Sequence, residues 1–283
     1  MQILNESKEG LYNARGKVKA LWCRAFKVDE MAKAGDAWTS LESAFAGNHP
    51  EFEAIDAPYH DLDHTLRATT CYAELVFKNL QTPDYGPLPL EIAELGFIAI
   101  LFHDTGYLKN KGDLNGTGAK YAFQHVERSQ AFANQWMLQN SFDQEARSAV
   151  KSMIQNTDFS KNATPALFTT SVHALVGCMV GTADLLGQMA SPDYITKLPL
   201  LHREMIEALR QGQAAGIPIE IPKSPQDLLR STPVFFNEYV IPKLVKDYQN
   251  VFRLLNTPYP DGPNPYMEQI QRHLELRLRE KNL

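Results

Sequence analysis

The chain has 283 residues, of which 44% are hydrophobic and 22% charged, as is ordinary for a soluble globular protein. Its formal net charge of −5 argues against a dedicated nucleic-acid surface, although a local cation could still attract a small anionic substrate. Three isolated cysteines, Cys23, Cys71 and Cys178, fit a reducing compartment, and the N-terminal MQILNESKEG lacks the form of a signal peptide. The longest apolar run, at about 95–102, is much shorter than a membrane span. We therefore expect a cytoplasmic protein without a membrane segment.

Helical patterns follow one another along almost the whole chain, and the sequence shows no alternating strand pattern and no internal repeat. The patterns predict helices at about 14–33, 38–45, 59–80, 90–104, 122–139, 142–156, 171–189, 194–213, 233–255 and 264–281. Glycine, proline and other loop formers predict loops at 105–120 and 214–232. We therefore predict a single all-α domain over residues 1–283.

The first candidate for chemistry is the pair His103 and Asp104, which ends the apolar segment LEIAELGFIAILFHD. Thr105 and Gly106 follow as a helix stop, and the C-terminus of a helix carries partial negative charge that favours a cation. The imidazole and the carboxylate supply mixed nitrogen and oxygen ligands. The alternative is a His-Asp pair that merely caps a surface helix, which is the commoner case for an arbitrary pair.

Asp184 and the segment PYHDLDHT at 58–65 provide the other candidates. Asp184 lies in ALVGCMVGTADLLGQM, where a lone carboxylate is costly unless it is paired or bound to metal. His60 and His64 stand four residues apart, so on a helix they share a face, and one can bind metal while the other faces substrate. The alternatives are an outward-facing Asp184 and a solvated first helical turn.

The order of His64, the His103-Asp104 pair and Asp184 resembles the HD-domain superfamily of metal-dependent phosphohydrolases. YHDLDHT is similar to the YHNxxH motif of the cyclic-nucleotide phosphodiesterase branch, MIQNTDFSKNA at 153–163 to its ATDMSKH segment, and GTADLL to its CADLS. Three segments that match in order are more specific than any one of them. The resemblance covers about 59–187. It implies an HD-domain, phosphodiesterase-like helical bundle with a core at about 55–190 and flanking helices at 1–54 and 191–283.

Carried over residue by residue, the resemblance implies four ligands for a first divalent metal ion: His64, His103, Asp104 and Asp184. Asp104 would also bridge to a second ion, and His60 would be the general acid that protonates the leaving oxygen. Asp61 fills the asparagine position of the family motif and adds a charge. Asp158 would orient a ligand or a water.

His125 lies in QHVERSQAF, which resembles the histidine-containing helix that follows the loop in many HD proteins. There it would line the phosphate or second-metal side, and the alternative is a surface histidine on an amphipathic helix. Four further histidines match no motif and are interpreted as structural or solvated: His49, His173, His202 and His273. Three lysines of the 105–120 loop could contact phosphate, although a basic loop is usually solvated: Lys109, Lys111 and Lys120.

The chain departs from the phosphodiesterase branch at two places. Pro233, in STPVFFNEYVIPKL, stands where the branch carries its purine-binding glutamine, which argues against a cyclic purine nucleotide as substrate. Phe235 and Phe236 would still be able to line a pocket. The HDxxHxG extension of the branch is also absent, because Thr-Gly-Tyr-Leu-Lys follows Asp104.

The resulting expectation is hydrolysis of a small phosphate ester, a phosphodiester or a nucleotide-like molecule, by a metal-activated water. Mixed His and Asp ligands suit one or two ions of Mn, Fe, Zn, Ni or Mg. Two alternatives remain, a di-iron HD-type oxygenase and a non-catalytic, metal-containing ligand-binding module. The sequence indicates neither the natural substrate nor the oligomeric state.

Overall fold

The computed structural model describes residues 2–159, 161, 167–214 and 221–280. Within them the chain forms ten α-helices: α1 Gln2–Phe26, α2 Ala32–Phe45, α3 Leu62–Asn79, α4 Leu90–Phe102, α5 His125–Gln139, α6 Gln144–Gln155, α7 Ser171–Met189, α8 Tyr194–Ala214, α9 Pro225–Phe235 and α10 Pro265–Glu280. The closest approach to a sheet among these residues is an isolated bridge between Phe52 and Asn110. The prediction of an all-α domain is therefore confirmed. Parts of three sequence predictions lie outside the described residues: 160 and 162–163 of the 153–163 motif, 215–220 of the second loop, and 281 of the last helix.

Helix α4 lies at the centre of the fold because it is apolar on almost every side. Its residues from Leu95 to Phe102 are all buried, and it packs against α2, α3, α6 and α7. Helix α7 is buried in the same way and packs along α3. The segments on either side contribute large side chains to the same hydrophobic core, among them Trp22, Trp38 and Tyr248. The expected flanking helices and the expected HD core thus share one core.

Helix α7 is also, among the described helices, the one that is long and apolar enough to cross a membrane. However, 83% of its 18-residue apolar window is buried inside the fold. This burial is typical of a core helix. The cytoplasmic location stays a prediction.

The predicted boundaries near the N-terminus were wrong. We expected helices at 14–33 and 38–45, but α1 ends at Phe26 and α2 begins at Ala32. The connecting segment includes positive φ angles at Lys27 (56°) and Ala32 (39°), which reverse the chain. The reversal brings Trp22 of α1 and Trp38 of α2 onto the ring of Phe97 in α4. Packing on the core therefore overrides the continuous helix that the composition of 14–33 predicts.

The predicted loop at 214–232 was wrong in its second half, where α9 begins at Pro225. The Ser224 hydroxyl accepts a hydrogen bond from the Asp227 N–H at 3.1 Å, and proline is favoured at the first helical position. The predicted helix at 233–255 is helical but irregular, with π turns at Phe236–Val240 and Lys243–Asp247 and a 3-10 turn at Val251–Leu255. Proline residues in this segment remove N–H donors that a regular helix needs.

Candidate metal centre

The end of α4 places His103 and Asp104 at the bottom of a polar cavity. His103 caps the helix, and its Nδ1 lies 2.7 Å from the Ile100 carbonyl oxygen. The Thr105 hydroxyl donates to the Phe102 carbonyl at 2.7 Å, so carbonyls that the helix leaves unpaired at its C-terminus are satisfied locally. The helix stop predicted at Thr105 is therefore built from side-chain hydrogen bonds, and it fixes the direction of both candidate ligands.

The start of α3 positions His64. Asp61 is the N-cap of this helix, and its carboxylate accepts a hydrogen bond from the His64 N–H at 2.9 Å. A carboxylate at this position satisfies an unpaired N–H and interacts favourably with the positive end of the helix dipole. Asp61 also lies 3.5 Å from the Lys197 ammonium group of α8. Asp61 thus stabilises the first turn of α3 through the backbone N–H of His64.

Asp184 approaches His64 because α3 and α7 cross at very short distance. A Cβ atom on Gly187, three residues after Asp184, would lie 2.7 Å from the Cα of Ala68, one turn after His64. Only glycine leaves room for this approach. The close crossing brings a carboxylate from the second half of the chain to histidines from the first half.

These helices bring together the four predicted ligands, His64, His103, Asp104 and Asp184, which we call the ligand cluster. Oδ2 of Asp104 lies 3.1 Å from Nε2 of both histidines. Oδ1 of Asp184 lies 3.3 Å from the same two nitrogen atoms. His64, His103 and Asp104 are at most 5% exposed and offer ligand atoms within 4.8 Å of one another, a grouping that could hold a metal ion.

The bonding inside the ligand cluster fits a metal ion. Nε2 of His103 and Oδ2 of Asp104 are buried and have no hydrogen-bond partner among the described residues, although they lie 3.1 Å apart. Buried polar atoms without partners are costly, whereas ligand atoms that point at a common cation are satisfied by it. The Nδ1 atom of His103 already forms a hydrogen bond with a backbone carbonyl, which leaves Nε2 as the atom that could bind a metal ion. The donor set does not select among Mn, Fe, Zn, Ni and Mg.

The charges of the ligand cluster perturb each other strongly. Burial alone would lower the pKa of His64, but the carboxylates of Asp104 and Asp184 outweigh it and raise that pKa to about 9. The pKa of His103 is raised in the same way, again against the effect of burial. Burial would raise the pKa of Asp104 and of Asp184, but the histidines hold both well below the usual range. The histidines therefore favour the charged form of the aspartates, and the aspartates favour the charged form of the histidines.

His60 stands beside the ligand cluster and is held by a glutamate that the sequence analysis missed. Its Nδ1 lies 2.5 Å from Oε2 of Glu204, and Oε1 of Glu204 accepts the N–H of Tyr59 at 2.6 Å. Glu204 is 3% exposed and comes from α8. Burial lowers the pKa of His60, but the charges of Glu204 and Asp104 and the hydrogen bond to Glu204 together outweigh this effect and raise that pKa. Glu204 is therefore the carboxylate that supports His60.

Tyr107 and His125 continue the wall of the site on the other side of His60. The ring of Tyr107 stacks on His60, with 4.4 Å between centroids and 8° between planes. It also stacks on His125, at 4.8 Å and 23°. The Nδ1 atom of His125 lies 2.6 Å from the Ala122 carbonyl, which turns Nε2 away from the backbone. Burial lowers the pKa of His125. His125 is thus a wall residue of the site.

Together these groups enclose the polar cavity, which has a volume of about 180 Å³. It is lined by the ligand cluster, by the three stacked rings and by Thr157, Phe159, Leu185, Gln188 and Phe235. Larger cavities of about 410 Å³ and about 510 Å³ lie elsewhere, and neither contains a cluster of metal ligands. Chemistry, and not size, therefore identifies the polar cavity as the candidate site.

Several other residues singled out in the sequence lie away from the polar cavity. Asp158 pairs with Lys161 at 3.1 Å and does not line the cavity. Of the two phenylalanines, Phe235 lines the cavity and Phe236 is buried in the core. The three loop lysines pair with carboxylates of the loop or of the segment before α3: Lys109 with Asp56, Lys111 with Glu53, and Lys120 with Asp113. The four histidines that match no motif form hydrogen bonds elsewhere: His49 with Glu51, His173 with Thr169, His202 with Pro222, and His273 with Met189.

The sequence analysis did not identify three residues of the site. Glu204 lies in an amphipathic helix more than 140 residues after its partner His60, so only tertiary structure connects them. Tyr107 lies in a segment read only as a loop. Gln188 follows Asp184 by four residues, and this helical spacing could have placed it on the same face of α7.

These features define an all-α protein with a buried group of His and Asp side chains that could hold a metal ion. The family model described as Npun_R2479-like matches residues 111–256, just over half of the 283-residue chain. The chain therefore belongs to the Npun_R2479-like family. The matched range includes His125, Asp184 and Glu204, and it begins after His64 and the His103-Asp104 pair. No curated protein matches the chain.

Proposed function

We propose that this protein is a metal-dependent phosphohydrolase that cleaves a small organic phosphate ester in the polar cavity. The observation that carries the proposal is the ligand cluster itself. Two histidine Nε2 atoms from α3 and the end of α4 face carboxylate oxygens of Asp104 and Asp184 at 3.1 to 3.3 Å, and a histidine paired with a glutamate stands beside them. The resemblance to HD-domain phosphohydrolases agrees with this arrangement.

A phosphate ester is difficult to attack because it is anionic. A divalent cation bound by the ligand cluster would neutralise this charge, orient the ester and lower the pKa of a coordinated water. The carboxylates of Asp104 and Asp184 supply the negative charge that attracts such a cation. Because His64, His103 and Asp104 are buried, their charges interact more strongly than they would in water.

His60 supplies the proton that the leaving oxygen needs when the P–O bond breaks. Glu204 accepts a hydrogen bond from Nδ1 of His60 and stabilises the imidazolium form. The proton on Nε2 is therefore available at a pH where unperturbed histidine is largely neutral. Glu204 also accepts the N–H groups of Tyr59 and His60, which fixes the carboxylate and, through it, the imidazole.

The test is a metal analysis combined with a phosphodiesterase assay on bis(4-nitrophenyl) phosphate with Mn²⁺, Ni²⁺ or Zn²⁺. We expect one or two bound ions and measurable turnover in the native chain. Asp104→Ala should lose the metal and reduce turnover by at least about 1000-fold, because a carboxylate that would hold the metal is gone. Asp113→Ala is the matched control, since Asp113 pairs with Lys120 in the loop and should leave metal content unchanged.

Two outcomes would contradict the proposal. Two irons for each chain together with oxygen consumption would indicate a di-iron oxygenase. A folded, metal-loaded protein that fails to cleave a broad panel of phosphate esters would indicate a ligand-binding module.

A further inference from the structure

The hydroxyl group of Tyr107 has no role in the fold. Tyr107 is 4% exposed and lines the polar cavity, with its ring stacked on both His60 and His125. Within the part of the chain that the structure describes, nothing forms a hydrogen bond with its hydroxyl. This hydroxyl is also absent from the fully enclosed polar atoms that lack a partner, so it opens on free space. The Tyr107 side chain lines the polar cavity, and the charges that act on its hydroxyl are those of Asp104, Glu204 and Asp184.

The neighbouring backbone already fixes the position of this ring. The Gly106 N–H donates to the Ser129 hydroxyl at 2.8 Å, and the Arg128 guanidinium donates to the carbonyls of Gly106 at 2.7 Å and Leu108 at 2.5 Å. A Cβ atom on Gly106 would lie 1.9 Å from the His125 carbonyl oxygen, so this segment lies directly against the start of α5. A phenylalanine would stack equally well here. The hydroxyl group therefore needs another explanation, because a buried phenol usually has a hydrogen-bond partner.

We propose that the Tyr107 hydroxyl donates a hydrogen bond to an anionic oxygen of the phosphate ester in the polar cavity. This inference rests on the proposed function, because it concerns the same site. An unperturbed phenol has a pKa near 10 and is a neutral donor at working pH. A neutral donor suits a site that already contains the carboxylates of Asp104, Asp184 and Glu204, since it contacts the anion without adding a buried charge. His60 remains free to serve the leaving oxygen.

The experiment compares Tyr107→Phe with the native protein, both loaded with Mn²⁺. Calorimetry measures the affinity for inorganic phosphate, and the assay with bis(4-nitrophenyl) phosphate measures kcat and KM separately. We expect Tyr107→Phe to keep its metal and its stability. Its affinity for phosphate and its kcat/KM should each fall about 10- to 100-fold, as is typical for loss of a hydrogen bond to a charged group.

Tyr121→Phe is the matched control, because it removes a hydroxyl from the same loop. The Tyr121 hydroxyl donates to Asp113 at 2.7 Å outside the polar cavity, so phosphate affinity and kcat/KM should not change. A Tyr107→Phe protein that binds phosphate as well as the native protein would overturn the inference, even if turnover is observed. If Tyr107→Phe binds phosphate less tightly than the native protein, but the native protein shows no turnover, the result would count against the proposed function alone.

Discussion

Two charged clusters in this protein differ in how their polar atoms are hydrogen-bonded. In the loop before α5, Oδ2 of Asp113 accepts hydrogen bonds from the Lys120 ammonium at 2.5 Å and the Tyr121 hydroxyl at 2.7 Å. In the ligand cluster, by contrast, buried atoms of His103 and Asp104 have no hydrogen-bond partner among the described residues. The loop cluster is complete as it stands, whereas the ligand cluster needs something else to satisfy it. Unused bonding capacity on facing histidine and carboxylate atoms, and not the number of charges, therefore distinguishes the ligand cluster from the loop cluster.

The largest expected effect concerns His60. It lies in the polar cavity, but it already has a carboxylate partner, Glu204, just as Asp113 in the loop has Lys120. If its pairing with Glu204 is purely structural, His60→Ala should act mainly on stability. We expect instead that metal content survives and that turnover falls by about two to four orders of magnitude, because the leaving oxygen loses its proton donor. Metal analysis and steady-state kinetics check both parts. Loss of metal in His60→Ala would show that this histidine belongs to the ligand set.

A second test concerns the pH dependence of stability. Without metal, the histidines and aspartates of the ligand cluster can pair only with each other. The pKa of His64 is raised from 6.5 to about 9, so its pairing contributes stability fully below about pH 6.5. That contribution is lost as the pH rises through about 9. Metal binding has the opposite dependence, because the ligand imidazoles must be neutral.

The increase in Tm caused by added Mn²⁺ or Zn²⁺ should therefore be larger near pH 9 than near pH 6.5. At a metal concentration of about 100 times Kd the stabilisation is about 2.7 kcal/mol. Differential scanning calorimetry with and without a chelator measures it, and Asp184→Ala is the control, which should remove the metal effect at both pH values. An increase in Tm that is the same or smaller at the higher pH would contradict neutral histidine ligands.

The two clusters also show how much of this site could be predicted from the sequence. The helical class followed from the period of the apolar residues, and the stop of α4 followed from Thr105-Gly106. The four candidate ligands were predicted through the order of their motifs, since no spacing rule brings His64 and Asp184 together across 120 positions. Their meeting depends on the close approach of Gly187 to Ala68, and the support of His60 depends on Glu204. Both are tertiary contacts, which leave no periodic trace in the sequence.

The smallest expected effect concerns two helix N-caps, each formed by an aspartate. Asp61 accepts the His64 N–H at 2.9 Å at the start of α3, and Asp143 accepts the Ala146 N–H at 2.8 Å at the start of α6. Replacing either aspartate by alanine should cost about 1 kcal/mol and lower Tm by about 2 to 4 °C. Only Asp61→Ala should also weaken metal binding, by about tenfold or more, because the N–H that it caps belongs to a ligand.

Asp61→Asn separates the cap from the charge. Asparagine caps a helix about as well as aspartate, so this variant should recover the stability and most of the metal affinity that Asp61→Ala loses. The asparagine is also the residue that the YHNxxH motif carries at this position. Thermal unfolding and metal titration of Asp61→Ala, Asp61→Asn and Asp143→Ala make the comparison complete. If Asp61→Asn stays as weak in metal binding as Asp61→Ala, the charge of Asp61 acts on the ligand cluster directly, and the cap is not its main contribution.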